Sequence, residues 1–209
     1  MLPKELNDQI AKAKAYLTND PHGDLPLHQR APILRLLGDG REDMKAPYPS
    51  YLPGHIRRYT LMKMCAEKVF FVWENYFQID RTPQITLGES DKYIQRGFPP
   101  TRAEVKPLIN RLLACVENDP DAGAAAMPGW AAAYAFLLSE SDTDIWTRDD
   151  AATMEDLDSE IYGWTGDFNA SLAYANGPVG NDDSDDSKRR EFWEWYLNQA
   201  VEEAYESVS

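Results

Sequence analysis

The sequence predicts an all-α protein: a single-domain bundle, spanning residues 1–209, of seven to nine helices around a central buried helix at about 54–77. Apolar residues recur at steps of three and four along most of the chain, which is the helical period. No stretch shows the strict alternation of apolar and polar residues that indicates a half-buried strand. With 209 residues and 43% hydrophobic content, the chain is long enough to bury a sizeable core.

The central helix is predicted by the apolar stretch from Pro53 to Phe77. Its helical repeat consists of Ile56, Tyr59, Met62, Ala66, Val69, Trp73 and Tyr76. Further apolar side chains fill most of the remaining circumference and leave Lys63, Glu67 and Glu74 as a narrow polar edge. A helix that is apolar nearly all round needs neighbours on most sides. We therefore expect this helix at the centre of the bundle.

Two helices are expected before the central one. The first runs from Pro3 to Leu17 and the second from about His28 to Leu37, each with apolar residues on one face. A turn-forming cluster at 18–24 separates them. The proline-rich segment 46–54 is expected to be extended, because proline disfavours helix in the residue before it.

The elements after the central helix are predicted mainly from their boundary signals. A turn is expected at 80–83, followed by a short helix through 91–94 that Gly97 closes. Thr101 and Glu104 have the spacing of a capping box, although Pro107 then requires a kink or a later start. The remaining helices are expected at 121–127, from Trp130 to about Ser141, from Thr147 to Ala175, and from Lys188 to about Ser207. The acidic loop near 179–187 is expected to be mobile.

The charge is strongly asymmetric within a net charge of −14. Residues 1–118 hold 17 basic and 14 acidic side chains, a net charge of +3, whereas residues 119–209 hold 4 and 21, a net charge of −17. Such a field repels nucleic acid and anionic membranes and attracts basic proteins. The alternative is that the acidity only keeps the protein soluble.

Two cysteines, Cys65 and Cys115, lie in apolar helical contexts and are predicted to be buried free thiols. No secretory signal or 18-residue apolar run is visible, so we expect an intracellular protein.

Catalytic and metal-binding signatures are weak. The histidines His22, His28 and His55 do not cluster with other ligands, and surface or capping roles are expected for them. The acids at 182–186 lack the glycine and distal glutamate offsets of a calcium loop. Nucleophile and phosphate-loop motifs are missing. We expect no enzyme activity, no metal and no cofactor.

A helix rich in Cys and Ala that ends in Trp-Glu is followed by a turn containing Asp, Arg and Pro, and then by a short helix closed by glycine. These features occupy Cys65–Glu74, Asp80–Pro83 and Tyr93–Gly97. The pattern resembles an all-helical family of immunity proteins that accompany bacterial polymorphic toxins. Phe192–Val201 is similar to the tail helix of the same group. Phe71 departs from the pattern, since a proline often stands there.

The resemblance implies a cytoplasmic protein that binds a cognate toxin and has no catalytic residues. The residues leave both a monomer and a homodimer open. The acidic half would steer a basic toxin toward it. The acidic residues expected to contact the toxin are Asp142, Asp144, Asp149, Asp150, Asp182, Asp183, Asp185 and Asp186. Trp146 and Trp195 are candidate aromatic anchors, with core packing as the alternative.

Two other functions stay open from the residues alone. One is a non-catalytic helical adaptor or scaffold without a toxin partner. The other is a hydrolase whose site is assembled from scattered carboxylates and His55.

Overall fold

The computed structural model describes residues 1–38, 52–97, 99–117, 119–140 and 165–208, and every regular element in these ranges is helical. In chain order the elements are α1 (Lys4–Asn19), α2 (Leu27–Leu36), α3 (Pro53–Lys68), α4 (Phe70–Phe77), α5 (Thr82–Arg96), α6 (Arg102–Glu117), a 3-10 helix (Pro120–Ala126), α7 (Met127–Glu140), α8 (Gly166–Tyr174), α9 (Asp186–Trp195), a π-helical segment (Tyr196–Ala200) and α10 (Val201–Glu206). The last three follow one another without a gap and form one C-terminal rod. Counted in this way, the described ranges hold nine α-helices, which confirms the all-α prediction.

Helix α3 lies at the centre, as the sequence predicted. It packs against α7, α8 and α10, and Leu61, Met62, Cys65 and Ala66 are completely buried. Small residues allow this close packing. A Cβ atom on Gly166, at the start of α8, would lie only 3.3 Å from the Sδ atom of Met62. The backbone of α8 therefore approaches α3 closely at this point.

The predicted central stretch does not continue as one helix to Phe77. Val69 has φ −112° and ψ 6°, so α3 ends there and α4 begins in a new direction. Val69 itself is fully buried, but Trp73 is the one buried side chain of α4. The run from Val69 to Val72 consists of β-branched and aromatic residues, which lose rotamer freedom in a helix. The central buried helix is thus α3, and α4 lies at the surface.

Most other predicted boundaries agree with the structure to within about two residues, the usual uncertainty of helix ends. Gly97 closes α5 at φ 81°, and the Thr101 amide donates to Glu104 at 2.7 Å, as a capping box requires. Two helices are exceptions. Thr165 is extended, with φ −69° and ψ 157°, so α8 begins only at Gly166 and the helix predicted from Thr147 to Ala175 is interrupted there; residues 147–164 lie outside the described ranges. Helix α5 begins at Thr82 and is much longer than predicted. Asp80 accounts for this early start, because its Oδ1 atom accepts the Thr82 amide at 2.7 Å.

The N-terminal helices are joined to the C-terminal rod at the turn after α1. Gly23 has φ 64°, and a Cβ atom there would lie 2.6 Å from the Cβ atom of Arg190. The Arg190 guanidinium donates to the carbonyls of Leu17 and Asp20. Gly23 is therefore required both by its backbone conformation and by the approach of α9.

An ion pair between Arg30 of α2 and Asp167 of α8 lies inside the core, with both side chains fully buried. Arg30 also donates from Nε to the Leu25 carbonyl at 2.9 Å and from Nη1 to Oγ1 of Thr165 at 2.8 Å. The ring centroid of Trp193, in the rod, lies 5.1 Å from the guanidinium carbon of Arg30. These contacts provide the hydrogen bonds that a buried charge needs in place of water.

The buried ion pair affects the pKa values of two neighbouring side chains, Cys65 of α3 and Tyr196 of the rod. Burial, and then the carboxylate of Asp167, raise the pKa values of the Cys65 thiol and the Tyr196 hydroxyl well above their usual values. Cys65 is a buried free thiol, as predicted, and its raised pKa makes it a poor nucleophile. The side chain of Cys115 lies outside the described part of the structure.

Breaking this ion pair should strongly destabilise the fold. Asp167→Asn leaves the Arg30 charge buried without its counter-charge, so we expect the free energy of unfolding in urea to fall by about 3–5 kcal/mol. Asp8→Asn removes an exposed pair with Lys4 and should cost less than about 1 kcal/mol. The double variant Arg30→Met/Asp167→Leu should recover much of the loss. Equal effects of Asp167→Asn and Asp8→Asn would contradict this assignment.

Candidate partner-binding surface

The acidic loop at 179–187 connects α8 to the rod and is held by several hydrogen bonds. The Asp185 amide donates to the Ala175 carbonyl at 2.8 Å, and the Ser184 hydroxyl donates to the Gly177 carbonyl at 3.1 Å. The buried Arg189 donates to the same Gly177 carbonyl at 2.8 Å. These bonds fix the path of the loop in the structure, and its mobility in solution stays a prediction.

Two of the acidic residues expected to bind a partner have structural contacts. Asp185 caps α9, accepting from the Ser187 and Lys188 amides, and these contacts, led by the Ser187 hydroxyl, lower its pKa. Asp186 pairs with His22 at 2.9 Å and with Arg189 at 2.6 Å, and the His22 contact is the larger cause of its lowered pKa. Their charges stabilise the start of α9, where the helix dipole favours negative groups.

Asp182 and Asp183 are exposed at the tip of the loop. The backbone of Asp183 is held by two hydrogen bonds: its amide donates to Oδ1 of Asn181 at 3.1 Å, and its carbonyl accepts from Nδ2 of Asn176 at 3.1 Å. Of the predicted acidic residues within the described ranges, these two present their charges most openly. Asp142, Asp144, Asp149, Asp150 and Trp146 lie outside the described residues.

Trp195 is half-buried near the end of α9. The Lys68 ammonium lies 4.4 Å from its ring centroid and 5.4 Å from that of Tyr174, which is cation–π geometry. The Trp195 ring also packs on the ring of buried Phe192, with 5.6 Å between the two centroids. Trp195 thus packs partly on the core and partly reaches the surface, and its role as a partner anchor stays a prediction.

Sequence reasoning missed an exposed apolar surface on α4 and the turn after it. Phe71 is 49%, Tyr76 44% and Ile79 94% exposed, and these three residues are called the α4 face below. Phe71 and Tyr76 lie about 140° apart around the helix axis, so this face extends over two sides of α4. The helical period predicted that Tyr76 is a core residue, and Phe71 was counted among the apolar side chains that surround the same helix. The one available signal was the β-branched and aromatic run at 69–72, which breaks the helix.

Tyr174 links the α4 face to the acidic part of the molecule. Its ring contacts that of Phe71 edge-on at 6.1 Å, and its hydroxyl donates to Glu191 at 2.6 Å. Burial and this carboxylate raise the pKa of Tyr174 to about 12, so the hydroxyl stays protonated as a donor at neutral pH. The exposed apolar residues and the acids of α9 therefore belong to adjoining surfaces.

The residues considered for catalysis are engaged structurally. His55 is buried in α3 and its Nε2 atom contacts the Leu138 carbonyl, while His22 is exposed beside Asp186. In the described ranges, no group of three or more His, Cys, Asp or Glu side chains is arranged to hold a metal ion. In the same ranges, no helix is long and apolar enough to cross a membrane.

A groove of about 490 Å³ lies between α5 and α6. Its charged groups pair with one another: Arg96 donates to Glu104 at 3.0 Å, and Lys92 donates to Glu89 at 2.5 Å. The Arg96 and Thr101 contacts lower the pKa of Glu104 to about 2. A carboxylate held in its ionised form in this way is poorly suited to general acid–base work at neutral pH.

A comparison with protein families gives a match over nearly the whole chain. The family model described as "Immunity protein Imm5" matches residues 10–203. This match includes all the segments from Cys65 to Val201 on which the sequence resemblance rested, and it confirms that resemblance. No curated protein matches the chain.

Proposed function

The chain belongs to the Imm5 family of immunity proteins, and from this membership we propose that it neutralises a cognate toxin by direct, stoichiometric binding. The family match over residues 10–203 is the observation that carries the proposal. It favours this function over an adaptor without a toxin partner and over a hydrolase. In this proposal the protein acts in the cytoplasm, as a monomer or homodimer, without nucleic acid, membrane or cofactor.

The charge of the chain supports a basic toxin as the partner. The acidic excess of residues 119–209 includes exposed carboxylates on the loop and on the rod, among them Asp182, Asp183, Glu191 and Glu194. Opposite charges accelerate the encounter of two proteins more than they tighten the final complex. We propose that Asp182 and Asp183 belong to the steering surface, together with Asp142, Asp144, Asp149 and Asp150.

Co-expression tests the proposed function directly. Cells that produce the toxin encoded beside this gene should stop growing, and co-expression of this chain should restore their growth. The two purified proteins should then elute together at a one-to-one ratio. An immunity protein of similar acidity from another toxin system is the control and should not protect. Failure to protect, or protection without a complex, would contradict direct neutralisation.

Charge reversal tests the steering role of the loop. We expect Asp182→Lys/Asp183→Lys to lower the association rate with the toxin by roughly tenfold at low ionic strength and to flatten its salt dependence. Stopped-flow fluorescence measures both quantities.

The control Glu202→Lys/Glu203→Lys changes the net charge by the same amount at the other end of α3. Tyr205 of α10 packs on Arg57 near the start of α3, whereas Tyr174 packs on Lys68 at its end. The control should change the rate much less. Equal association rates for the two double variants would show that the loop does not belong to the steering surface.

A further inference from the structure

The most apolar short helix of the described structure is also one of the most exposed. Helix α4 reads Phe-Phe-Val-Trp-Glu-Asn-Tyr-Phe, yet Trp73 is its one buried side chain. Phe71 and Tyr76 remain nearly half exposed, and Ile79 is 94% exposed in the turn that follows. Single exposed apolar residues are ordinary, but three on one short segment, on two sides of the same helix and its turn, make a candidate interaction surface.

The turn that presents Ile79 has a backbone conformation that non-glycine residues rarely adopt. Gln78 has φ 50° and ψ −95°. Contacts on both sides hold it there: the Trp73 indole donates to the Asp80 carbonyl at 3.2 Å, and Asp80 accepts the Thr82 amide at 2.7 Å. Such conformations persist where the surroundings fix them, and they concentrate at functional sites.

The aromatic rings of α4 are held in place before any partner arrives. The Phe77 ring lies 4.1 Å from that of buried Trp73 and 4.9 Å from that of Tyr76. The Tyr76 hydroxyl donates to Asp119 at 3.2 Å. A surface whose side chains are already ordered loses less entropy on binding, and this favours affinity.

The rim of the α4 face is predominantly acidic. Asp119 contacts Tyr76, Asp121 is exposed two residues later, and Glu191 adjoins Phe71 through Tyr174. The basic side chains beside the face are engaged, since Arg81 pairs with Glu74 and Lys68 lies over the rings of Tyr174 and Trp195. An apolar centre with a negative rim fits a partner that offers apolar side chains surrounded by Lys and Arg.

We propose that Phe71, Tyr76 and Ile79 form the centre of the surface on which the toxin docks. This inference rests on the proposed function and adds the surface to it. The acidic rim and the loop carboxylates Asp182 and Asp183 orient a basic toxin, and the α4 face then provides most of the short-range affinity. Affinity concentrated in a few central residues is the usual pattern of protein interfaces.

Alanine variants of the three residues test the proposal. Wild type, Phe71→Ala, Tyr76→Ala and Ile79→Ala are titrated with the purified toxin by isothermal calorimetry. Leu137→Ala is the matched control, because Leu137 is 43% exposed on α7, next to the Leu138 carbonyl that contacts His55 at the far end of α3. We expect at least two α4-face variants to bind about tenfold more weakly or worse and the control to bind as wild type does.

Each outcome of this experiment decides one question. If the wild-type chain does not bind the toxin, the proposed function fails and the docking surface fails with it. If it binds and fewer than two of the three variants bind about tenfold more weakly, the docking surface alone is overturned. The same holds if Ile79→Ala dissociates a homodimer but leaves toxin binding intact, because the face would then serve a second copy. Ile79 is the decisive position, since a side chain 94% exposed is removed without disturbing the core.

Discussion

The buried ion pair between Arg30 and Asp167 determines how distant parts of the chain come together. Its members are 137 residues apart in sequence, and both are completely buried. A charge removed from water is tolerated only where hydrogen bonds and an opposite charge replace the lost hydration. Asp167 of α8 supplies the opposite charge. Arg30 donates hydrogen bonds to Oγ1 of Thr165 and to the Leu25 carbonyl, and the Trp193 ring lies beside its guanidinium. We interpret the pair as a constraint that selects one arrangement of α2, α8 and the C-terminal rod, rather than as a large net source of stability.

This arrangement explains why α4 is left outside. The buried side of α3 is covered by α7, α8 and α10, whereas α4 makes few contacts with it. The break at Val69 keeps Val69 and Trp73 inside and turns Phe71 and Tyr76 outward. Their side chains stay nearly half exposed, so part of their apolar surface is open to a partner. The same bundle thus accounts for a packed scaffold and for an exposed, ordered apolar surface next to acidic residues, where we propose that the toxin docks.

The sequence predicted the features that local signals determine. The buried face of α1, the αL glycine at Gly97 and the capping contact of Thr101 with Glu104 could all be recognised from residues close together in the chain. The buried arginines Arg30 and Arg58 could not, because their environment is created by helices far away in sequence. The position of α4 was missed for a different reason: its apolar period continues that of α3, and periodicity does not reveal a change of direction at one residue. Of the candidate site, the exposed loop acids were predicted, whereas the α4 face required the structure.

The central claim is that a preformed helical scaffold presents the α4 face to the toxin. Hydrogen–deuterium exchange of the free chain and of its complex with the toxin tests this claim most directly. The account predicts that amides of α3 and α8 exchange slowly in both states and that those of residues 70–79 become markedly slower in the complex. Unchanged exchange at 70–79 in a saturated complex, with protection appearing on another surface, would contradict it.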